Sequence, residues 1–434
     1  MAVDRSSLDD FLDNAPPAGR LLVAFSGGLD SHVLLHALRA ALARRGDGRP
    51  LLAVHVHHGL QCQADDWIAH CEAVCTGLSV PLSVARVRVA EADMSQQGLE
   101  AAAREARYRA LAAAMQPRDL LLTAHHQDDQ AETLLLQLLR GAGPAGLAAM
   151  PRLTPFGPGW LGRPLLDLPR RALAAHARDA GLAWVEDPSN ADPRFDRNYL
   201  RQEILPRLAG RWPGAGARLA AAAANQADAL EQLDALARED AERCRGEAPG
   251  TLAVQALRRL RRGRCRNLLR LWLRDKGLAA PPRGRMDAIL DAVLTAGPDR
   301  TPCVAWADVE VRRYRDDLHA LPALPAPPAG PIPWDLRAPL TIPALGLTLD
   351  PAVLAAAGIT PETCTGPVTV RFRRGGERIR LPGRAHSAAL KTLMQAAGMP
   401  PWERERLPLV FVGEVLVAAG TRWIADPAVC HRGA

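Results

Sequence analysis

The chain has 434 residues, of which 48% are hydrophobic and 23% are charged. This composition is typical of a globular protein of roughly three domains and excludes a disordered or fibrous one. No apolar run reaches the about 18 residues of a membrane-spanning helix, and the first residues show no secretion signal, so we expect a cytoplasmic protein. The eight cysteines are scattered irregularly, which disfavours a disulfide framework.

The net charge of +7 comes almost entirely from arginine, because Lys276 and Lys391 are the only lysines. Residues 258–285 hold ten arginines and one lysine against one aspartate, a net charge of +10. Residues 371–406 hold eight arginines and one lysine against three glutamates, a net charge of +6. Arginine suits phosphate binding and base stacking. The two basic segments therefore predict a polyanionic partner, with nucleic acid the leading candidate.

Short apolar runs alternate with helical patterns over about the first 210 residues, at 21–25, 51–56, 82–89 and 120–126. This alternation predicts an α/β fold with a parallel sheet covered by helices. From about Ala215 the sequence becomes alanine-rich and then arginine-rich, which predicts a helical domain. Eight prolines from Pro322 to Pro343 indicate a linker or an irregular edge.

Beyond the prolines, strand-like segments around a helical one predict a small mixed α/β domain at the C-terminal end. We therefore expect four segments along the chain. They are an α/β catalytic domain (1–212), a helical arginine-rich domain (213–320), a proline-rich linker (321–350) and a C-terminal α/β domain (351–434).

The strongest motif is FSGGLDS at 25–31, which directly follows the first apolar run and precedes a helical pattern. Gly27 and Gly28 permit close approach of a ligand to the backbone, and Ser26 and Ser31 add hydroxyl groups. Exposed amides at a helix N-terminus favour phosphate. The motif has neither the lysine of GxxxxGK[ST] nor the spacing of GxGxxG, which disfavours a P-loop kinase or a dinucleotide enzyme. A plain glycine turn is the remaining alternative.

The SGGxDS pattern resembles the PP-loop of the ATP pyrophosphatases, enzymes that cleave ATP between the α and β phosphates. The resemblance implies a Rossmann-like parallel-sheet domain that binds ATP. The residues that it assigns to ATP are Ser26, Gly27, Gly28, Leu29, Asp30 and Ser31.

A second block, TAHHQDDQAETLLLQLLRG at 123–141, also lies where a strand pattern ends and a helical one begins. His125 and Asp129 are four residues apart, as are Asp128 and Glu132, so each pair would share a face of a helix. Carboxylates at the carboxyl edge of a parallel sheet lie where ligands bind, and Mg²⁺ could join them to phosphates. Helix capping is the alternative, but it explains only one of the acids.

Two further patterns are weaker. Glu100, Arg104 and Arg107 recur at helical spacing in 98–111, as they would on an ordinary salt-bridged surface helix. The stretch HVHHGL at 55–60 places three histidines near Cys62. A zinc site there is disfavoured, because no second pair of ligands follows at the usual spacing.

Together with EDPSN at 186–190 and the pair Arg197 and Asn198, these blocks resemble the tRNA(Ile)-lysidine synthases. The resemblance covers about the first 210 residues and returns at 370–410. The sequence departs from the pattern at His57, where many members have Asn, and at Gln61, where many have Arg. The departure concerns only the local contacts made there.

The resemblance implies an ATP-dependent ligase that joins free L-lysine to C2 of the wobble cytidine in a tRNA(Ile) with a CAU anticodon. The base would first be adenylated, AMP and pyrophosphate would be released, and codon reading would change from AUG to AUA. It also implies roles for single residues: Asp30 and Asp129 for Mg²⁺, Asp30, His125, Asp129 and Arg104 in catalysis, and Glu100, Arg107, Arg197 and Asn198 at the substrates. The basic segments would hold the tRNA, and the oligomeric state, monomer or homodimer, stays open.

Three other functions are weighed against this one. A tRNA thiolase of the same superfamily usually carries paired cysteines as CxxC, whereas Cys71 and Cys75 are spaced C-x₃-C. A small-molecule amidating ligase lacks an arginine-rich helical domain. An RNA-binding protein with an inactive nucleotide site is disfavoured, because the SGGLDS and HHQDD blocks are intact.

We predict that replacing several arginines of 258–285 by glutamine weakens tRNA binding and flattens its dependence on salt. Fewer phosphate contacts release fewer counterions, so the slope of log K against log salt becomes shallower. A filter-binding titration across a salt series measures both quantities. Unchanged affinity at every salt concentration would remove the idea.

Overall fold

A computed structural model of the chain describes residues 5–57, 64–87, 99–188, 192–297, 300–384 and 386–429. Its contacts divide the chain into two compact units, Met1–Leu233 and Asp234–Ala434. Within the described ranges, no helix is long and apolar enough to cross a membrane.

The apolar runs near the start of the chain form neighbouring strands of one six-stranded sheet, as predicted. Its strands are β1 (Leu21–Ala24), β2 (Leu51–His57), β3 (Leu82–Arg86), β4 (Leu120–Leu122), β5 (Leu153–Phe156) and β6 (Gly159–Gly162). They lie in the order β3-β2-β1-β4-β6-β5. All pairs are parallel except the hairpin of β5 with β6. The α/β fold class is confirmed.

Helices cover both faces of this sheet. The described helices up to Arg243 are α1 (Arg5–Asn14), α2 (Leu29–Arg45), α3 (Ala64–Gly77), α4 (Leu99–Ala113), α5 (Gln127–Leu139), α6 (Pro144–Leu147), α7 (Arg170–Asp179), α8 (Asp196–Tyr199), α9 (Leu205–Arg211) and α10 (Ala215–Arg243), with a π-helical turn at Leu200–Ile204. Leu21 and Val23 of β1 point into one core, and Leu22 between them points into the other. Since both faces are buried, the strand is a continuous apolar run.

The order of the strands places the site. From β1 the chain proceeds to β2 and β3 on one side and then returns to β4 on the other side of β1. The loops that follow β1 and β4 therefore meet at a topological switch point, where open α/β sheets bind their ligands.

The region 213–320 contains more than the helices that the sequence predicts. Its helices within Asp234–Ala434 are the end of α10, α11 (Val254–Arg259), α12 (Arg262–Asp275) and α13 (Arg283–Ala288), followed by a π-helical turn at Ile289–Val293. It also forms an antiparallel sheet of β7 (Leu252–Ala253), β10 (Asp317–Pro322), β9 (Val309–Tyr314) and β8 (Cys303–Trp306), in that order. Val309 and Val311 point into the core while the alternate positions carry charge, a period-two pattern typical of a half-buried strand.

The C-terminal region is built on a second antiparallel sheet. It contains β11 (Ile332–Pro333), β14 (Val368–Arg371), β17 (Leu409–Val412), β18 (Val415–Ala419) and β19 (Trp423–Ile424), in that order. Two hairpins, β12 (Leu340–Ile342) with β13 (Leu347–Leu349) and β15 (Arg378–Ile379) with β16 (Ala388–Ala389), accompany α14 (Pro351–Ala355), α15 (Leu390–Ala396), α16 (Pro401–Glu405) and 3₁₀ turns at Pro343–Leu345 and Pro427–Val429. Trp334, Leu336 and Ile342 are buried in this core, so part of the proline-rich stretch packs as an edge of the C-terminal region.

Acidic residues of the neighbouring helices α10 and α13 neutralise part of the arginine-rich segment. Arg264 pairs with Asp240, and Arg266 pairs with Asp287. The other pairs are Arg262 with Asp287 and Asp291, and Arg274 with Asp234. Within the described ranges, the arginines of this segment that carry no ion pair are Arg258, Arg259, Arg261, Arg270, Arg283 and Arg285. Arg258 instead donates to the carbonyls of Leu294 and Ala296.

We predict that Arg264→Ala destabilises this region more than Arg261→Ala does, because only the first substitution removes the partner of a buried carboxylate. Asp240 is fully buried and accepts two bonds from Arg264, at 2.9 and 2.5 Å. Removing Arg264 leaves that carboxylate without its cation. Hydrogen exchange of the α12 amides measures the opening free energy, and equal effects of the two substitutions would contradict the structural role of Arg264.

Candidate active site

A cavity of about 970 Å³ opens at the carboxyl ends of β1, β2 and β4, large enough for a nucleotide and a second substrate. Its walls come from the loop after β1, the end of β2, α4, the loop after β4 and the segment 184–202. The predicted site residues that line it are Ser26, Gly28, Leu29, Asp30, Ser31, Arg104, Arg107, His125, Asp129, Arg197 and Asn198. Gly27 belongs to the loop after β1 but is not among the residues that line the cavity. The side chain of Glu100 is outside the described residues.

Gly27 sets the shape of the loop after β1. Its φ of +80° belongs to the left-handed region that favours glycine, and a Cβ there would lie 3.0 Å from Cys71 Sγ. The Gly27 carbonyl accepts a hydrogen bond from Val185 N at 3.1 Å. This hydrogen bond fixes the backbone of the loop at Gly27.

The two serine hydroxyls brace the same loop. Ser31 Oγ donates to the Gly28 carbonyl at 3.0 Å and accepts from Ser26 N at 3.2 Å. Ser26 Oγ accepts from Gly28 N at 3.3 Å. Gly28 caps α2, so the amides of the first helical turn point toward the cavity. The loop is a preformed anion-binding turn at a helix N-terminus.

Asp30 lies in the first turn of α2 and lines the cavity. Its Oδ1 atom is buried and has no hydrogen-bond partner within the described residues, although Arg170 Nε lies 3.8 Å from it. Oδ2 lies 3.7 Å from His126 Nε2. A buried carboxylate oxygen without a hydrogen bond is costly, which marks this atom as a candidate ligand-binding group.

His126 lies between the two candidate metal carboxylates, and the sequence-based site did not include it. Its Nε2 is 3.7 Å from Asp30 Oδ2 and 3.4 Å from Asp129 Oδ2. Burial alone would lower the pKa of His126, but contact with Asp30 and the charge of Asp129 outweigh burial and raise it. The protonated ring therefore joins the start of α2 to the start of α5.

The helix α5 begins one residue after His126, so His125 precedes the helix and does not share a helical face with Asp129. Asp129 Oδ2 accepts from His126 N at 3.0 Å. Asp129 thus caps the helix and also lines the cavity, so the two alternatives from the sequence do not exclude each other.

Arg201 is a second residue that the sequence-based site missed. It donates to Glu132 at 2.7 and 3.1 Å and to Asp129 Oδ1 at 3.1 Å. Burial raises the pKa of Glu132, which is fully buried, although Arg201 opposes the shift. For Asp129, burial acts upward, but the charge of His126, the hydrogen bond from its backbone amide and the charge of Arg201 outweigh burial and lower the pKa. In the sequence, only the helical spacing of Arg197 and Arg201, four residues apart, could have indicated that Arg201 belongs to the site.

His125 lines the cavity in the loop after β4. Its Nδ1 is 2.8 Å from Thr123 Oγ1. Burial lowers the pKa of His125 to about 3, and the charges of Arg163 and Arg104 add to the shift. The ring is therefore neutral at physiological pH and serves as a hydrogen-bonding group. The pKa values of the two adjacent histidines are thus shifted in opposite directions.

Arg104 and Arg107 form a basic wall on α4. Their guanidinium carbons lie 5.0 and 5.5 Å from the centre of the Tyr108 ring. Neither arginine forms an ion pair with a carboxylate of the described residues, and burial lowers the pKa of Arg107. A cationic wall without counterions favours an anionic ligand.

The segment 192–202 is held against α5. Arg197 Nη2 donates to Thr133 Oγ1 at 3.0 Å, and Asn198 Nδ2 donates to the Asp192 carbonyl at 2.9 Å. Both side chains reach the cavity wall. Ser189 and Asn190 of the EDPSN motif lie outside the described residues.

The cysteines and the histidine-rich stretch do not build a metal site in the described ranges, where no group of three His, Cys, Asp or Glu residues could hold a metal ion. His55 Nδ1 lies 2.9 Å from the Phe25 carbonyl, and Cys62 is outside the described residues. Burial raises the pKa of Cys71 to about 12 and that of Cys75 to about 11. Neither thiol is poised to react as a thiolate.

The fold and the loop define a PP-loop enzyme, the class whose domain family matches residues 2–208 and implies ATP binding. The TilS substrate binding domain matches residues 252–319, and the TilS substrate C-terminal domain matches residues 368–433.

Curated relatives match nearly the whole chain. The tRNA(Ile)-lysidine synthase of Methylococcus capsulatus is 46% identical over 97% of this chain and 96% of its own. Those of Alkalilimnicola ehrlichii and Pseudomonas aeruginosa are 49% and 47% identical, over 93% and 92% of this chain and 89% of each relative. The chain belongs to the tRNA(Ile)-lysidine synthase family and is an ATP-dependent ligase.

Solved structures are more distant. A U34-tRNA thiolase from Methanococcus maripaludis superposes with a TM-score of 0.44 at 18% identity, over 52% of this chain and 77% of its own. An NH₃-dependent NAD synthetase from Campylobacter jejuni superposes with a TM-score of 0.30 at 14% identity, over 53% of this chain and 94% of its own. At these scores neither structure bears on function.

We predict opposite pH dependences for variants of the two adjacent histidines. The folded pKa of His126 is raised, so its stabilisation is complete below about pH 6.5 and is lost as pH rises through the folded pKa. The folded pKa of His125 is lowered to about 3, so it destabilises the fold as pH falls from about 6.5 toward 3.

Hydrogen exchange of the β1 and β4 amides measures the opening free energy at each pH. The wild type should lose stability as the pH rises above about 6.5, and His126→Gln should not show this loss. The wild type should also lose stability as the pH falls below about 6.5, and His125→Gln should not show that loss. Parallel pH profiles for wild type and both variants would refute these charge states.

Proposed function

We propose that this chain joins the ε-amine of free L-lysine to C2 of the wobble cytidine in a tRNA(Ile) with a CAU anticodon, at the expense of ATP. The modified tRNA would read the codon AUA instead of AUG. The observation that carries the proposal is the buried Asp30 oxygen without a hydrogen bond beside a preformed phosphate loop, inside a cavity that also carries a basic wall. The curated relatives support the same reaction, since they are named tRNA(Ile)-lysidine synthases.

The first step activates the base, because the C2 oxygen of cytosine is a poor leaving group. That oxygen attacks the α-phosphate of ATP, the bond to the β-phosphate breaks, and pyrophosphate leaves. The amides of the first turn of α2 hold the phosphates, and Arg104 and Arg107 stabilise the charge that develops on them. Neutral His125 takes part as a hydrogen-bonding group.

Mg²⁺ bound at Asp30 and Asp129 would neutralise phosphate charge during this step. The residues fit such an ion, since Mg²⁺ is usually held by one or two carboxylates together with substrate phosphates and water. Asp30 offers Oδ1, which has no hydrogen bond within the described residues. Asp129 offers Oδ1 only after Arg201 releases it.

In the second step the lysine ε-amine bonds to C2, the bond from C2 to the adenylated oxygen breaks, and AMP leaves with that oxygen. The ammonium form of lysine first gives up one proton to water, which makes the amine nucleophilic, and the nitrogen gives up a second proton to the departing AMP after the C2–N bond has formed. Asp129 is ionised because its pKa is lowered, so it attracts the incoming ammonium group electrostatically. Arg107, Arg197 and Glu100 are proposed to contact the substrates, together with Asn198.

The thiolase alternative has no support in the described residues. It needs reactive cysteines, whereas burial raises the pKa of Cys71 and Cys75 far above neutrality. Neither of them lines the cavity.

We predict that the protein attaches radiolabelled lysine to a CAU-anticodon tRNA(Ile) transcript in the presence of ATP and Mg²⁺, and that Asp30→Asn lowers the rate at least about a hundredfold. Acid-insoluble label measures the transfer. Asp66→Asn is the matched control, because Asp66 is exposed on α3 and is not among the residues that line the cavity.

Pyrophosphate release is measured in the same reactions. Release without label would keep the adenylation chemistry but overturn lysine as the nucleophile. Equal label with wild type and Asp30→Asn would overturn the site.

A further inference from the structure

Asp129, one of the two carboxylates proposed to hold Mg²⁺, accepts a hydrogen bond at each of its oxygens. Oδ1 accepts from Arg201 Nη2 at 3.1 Å, and Oδ2 accepts from His126 N at 3.0 Å. The Asp129 side chain is only 11% exposed. By contrast, Asp30 Oδ1 has no hydrogen-bond partner within the described residues. In this arrangement the two carboxylates are not equally open to a metal ion.

Glu132 fixes Arg201 in its position. The Glu132 side chain is fully buried, and its two oxygens accept from Arg201 Nε at 2.7 Å and from Nη2 at 3.1 Å. Paired bonds between a planar guanidinium and a carboxylate are stronger than a single bond. The guanidinium can therefore release Asp129 and keep Glu132 as its partner.

The backbone that carries Arg201 is a short π-helical turn, Leu200–Ile204, between α8 and α9. Such turns are rare in proteins and are frequent at functional sites. The turn is not part of the sheet whose strand ends position Asp30 and His126. The guanidinium can therefore shift while those two residues stay in place.

Phosphate offers Arg201 a second partner. Arg201 lines the same cavity as the loop after β1 and the start of α2. Burial lowers the pKa of Arg201, but the bonds to Glu132 outweigh burial and raise it. The charges of Asp129 and Asp30 add to this shift, so the guanidinium lies within electrostatic reach of the start of α2. Arginine binds phosphate as it binds carboxylate, through paired N–H groups.

We propose that Arg201 is a positioning residue that keeps Asp129 from a metal ion until phosphates enter the cavity. In the nucleotide-free protein it holds Asp129, so a metal ion is left with Asp30. When ATP enters, Arg201 exchanges Asp129 for a phosphate oxygen, and Asp129 becomes a metal ligand. No covalent bond changes in this exchange. The inference rests on the proposed function, because it uses the metal and ATP sites assigned there.

Binding of Mn²⁺ to the nucleotide-free protein tests the exchange directly. Mn²⁺ suits the same oxygen ligands as Mg²⁺, and electron paramagnetic resonance measures its free concentration. Arg201→Lys retains a charge beside the buried Glu132 but has one nitrogen in place of the fork that joins two carboxylates. This variant should bind Mn²⁺ about tenfold more tightly than wild type, as expected for one lost charged hydrogen bond. A merely structural role for Arg201 would leave binding unchanged or weaken it, and either result would overturn the proposal.

Two further variants show whether the gain acts through Asp129. Arg207→Lys is the matched control, because Arg207 is exposed on α9 and pairs with Glu203, and it should bind Mn²⁺ as wild type does. The double variant of Arg201→Lys with Asp129→Asn should lose the gain. A gain that persists in the double variant would refute a role through Asp129.

A second measurement leaves Arg201 unchanged. Asp129→Asn should weaken Mn²⁺ binding at least about tenfold more when the protein is saturated with α,β-methylene-ATP than when no nucleotide is present. The reason is that Arg201 holds Asp129 only in the second condition. Equal weakening in both conditions would mean that Asp129 is open to the metal throughout, and it would overturn the proposal.

Lysine transfer by the wild-type protein is measured in parallel. If transfer occurs but Arg201→Lys binds Mn²⁺ no more tightly than wild type, the exchange at Arg201 fails and the proposed reaction stands. If Arg201→Lys shows the gain but the wild type transfers no lysine, the proposed reaction fails and the exchange stands.

Discussion

The parallel pairing of β1 with β4 is the constraint on which the candidate site depends. Leu21 to Val23 pair with Leu120 to Leu122, which brings together two loops that lie about a hundred residues apart in the sequence. Because both strands are fully buried, their register is fixed by packing on two faces. The carboxyl ends of the strands are therefore fixed relative to each other, and with them Asp30 and His126.

Charged side chains then stabilise the carboxylates that the strand pairing brings together. The protonated ring of His126 lies between the carboxylates of Asp30 and Asp129, and Arg201 holds Asp129 from the other side. Like charges at short range would otherwise drive one carboxyl to bind a proton. The interleaved cations keep Asp129 ionised, while Asp30 Oδ1 has no hydrogen-bond partner in the part of the chain that the structure describes. Binding of Mg²⁺ or an ammonium group would replace existing cation contacts, and Arg201 would have to release Asp129 Oδ1.

The sequence predicted the parts of the site that are local. The strand, glycine turn and helix start of FSGGLDS need only neighbouring residues, and they are present as expected. His126 and Arg201 could not be assigned, because their roles depend on which carboxylates the sheet and the segment after α8 bring near them. His125 seemed the better candidate by spacing, but that argument assumes a helix that begins before His125, and the helix begins at Gln127.

The same difference between local features and tertiary contacts explains why the charge of the unit Asp234–Ala434 was only partly predicted from the sequence. Charge counting along 258–285 gives a net of +10, but the acids that pair with Arg264 and Arg274 lie on α10, more than twenty residues earlier. A linear window cannot see charges that come from another helix. Hydrophobic periodicity failed in the same region for a different reason: in β9 the buried Val309 and Val311 alternate with Glu310 and Arg312, so charge interrupts the apolar pattern of the strand. A basic segment therefore indicates a polyanionic partner only through the arginines left after tertiary pairing. In this chain those are Arg259, Arg261, Arg270, Arg283 and Arg285, which have no ion pair within the described residues.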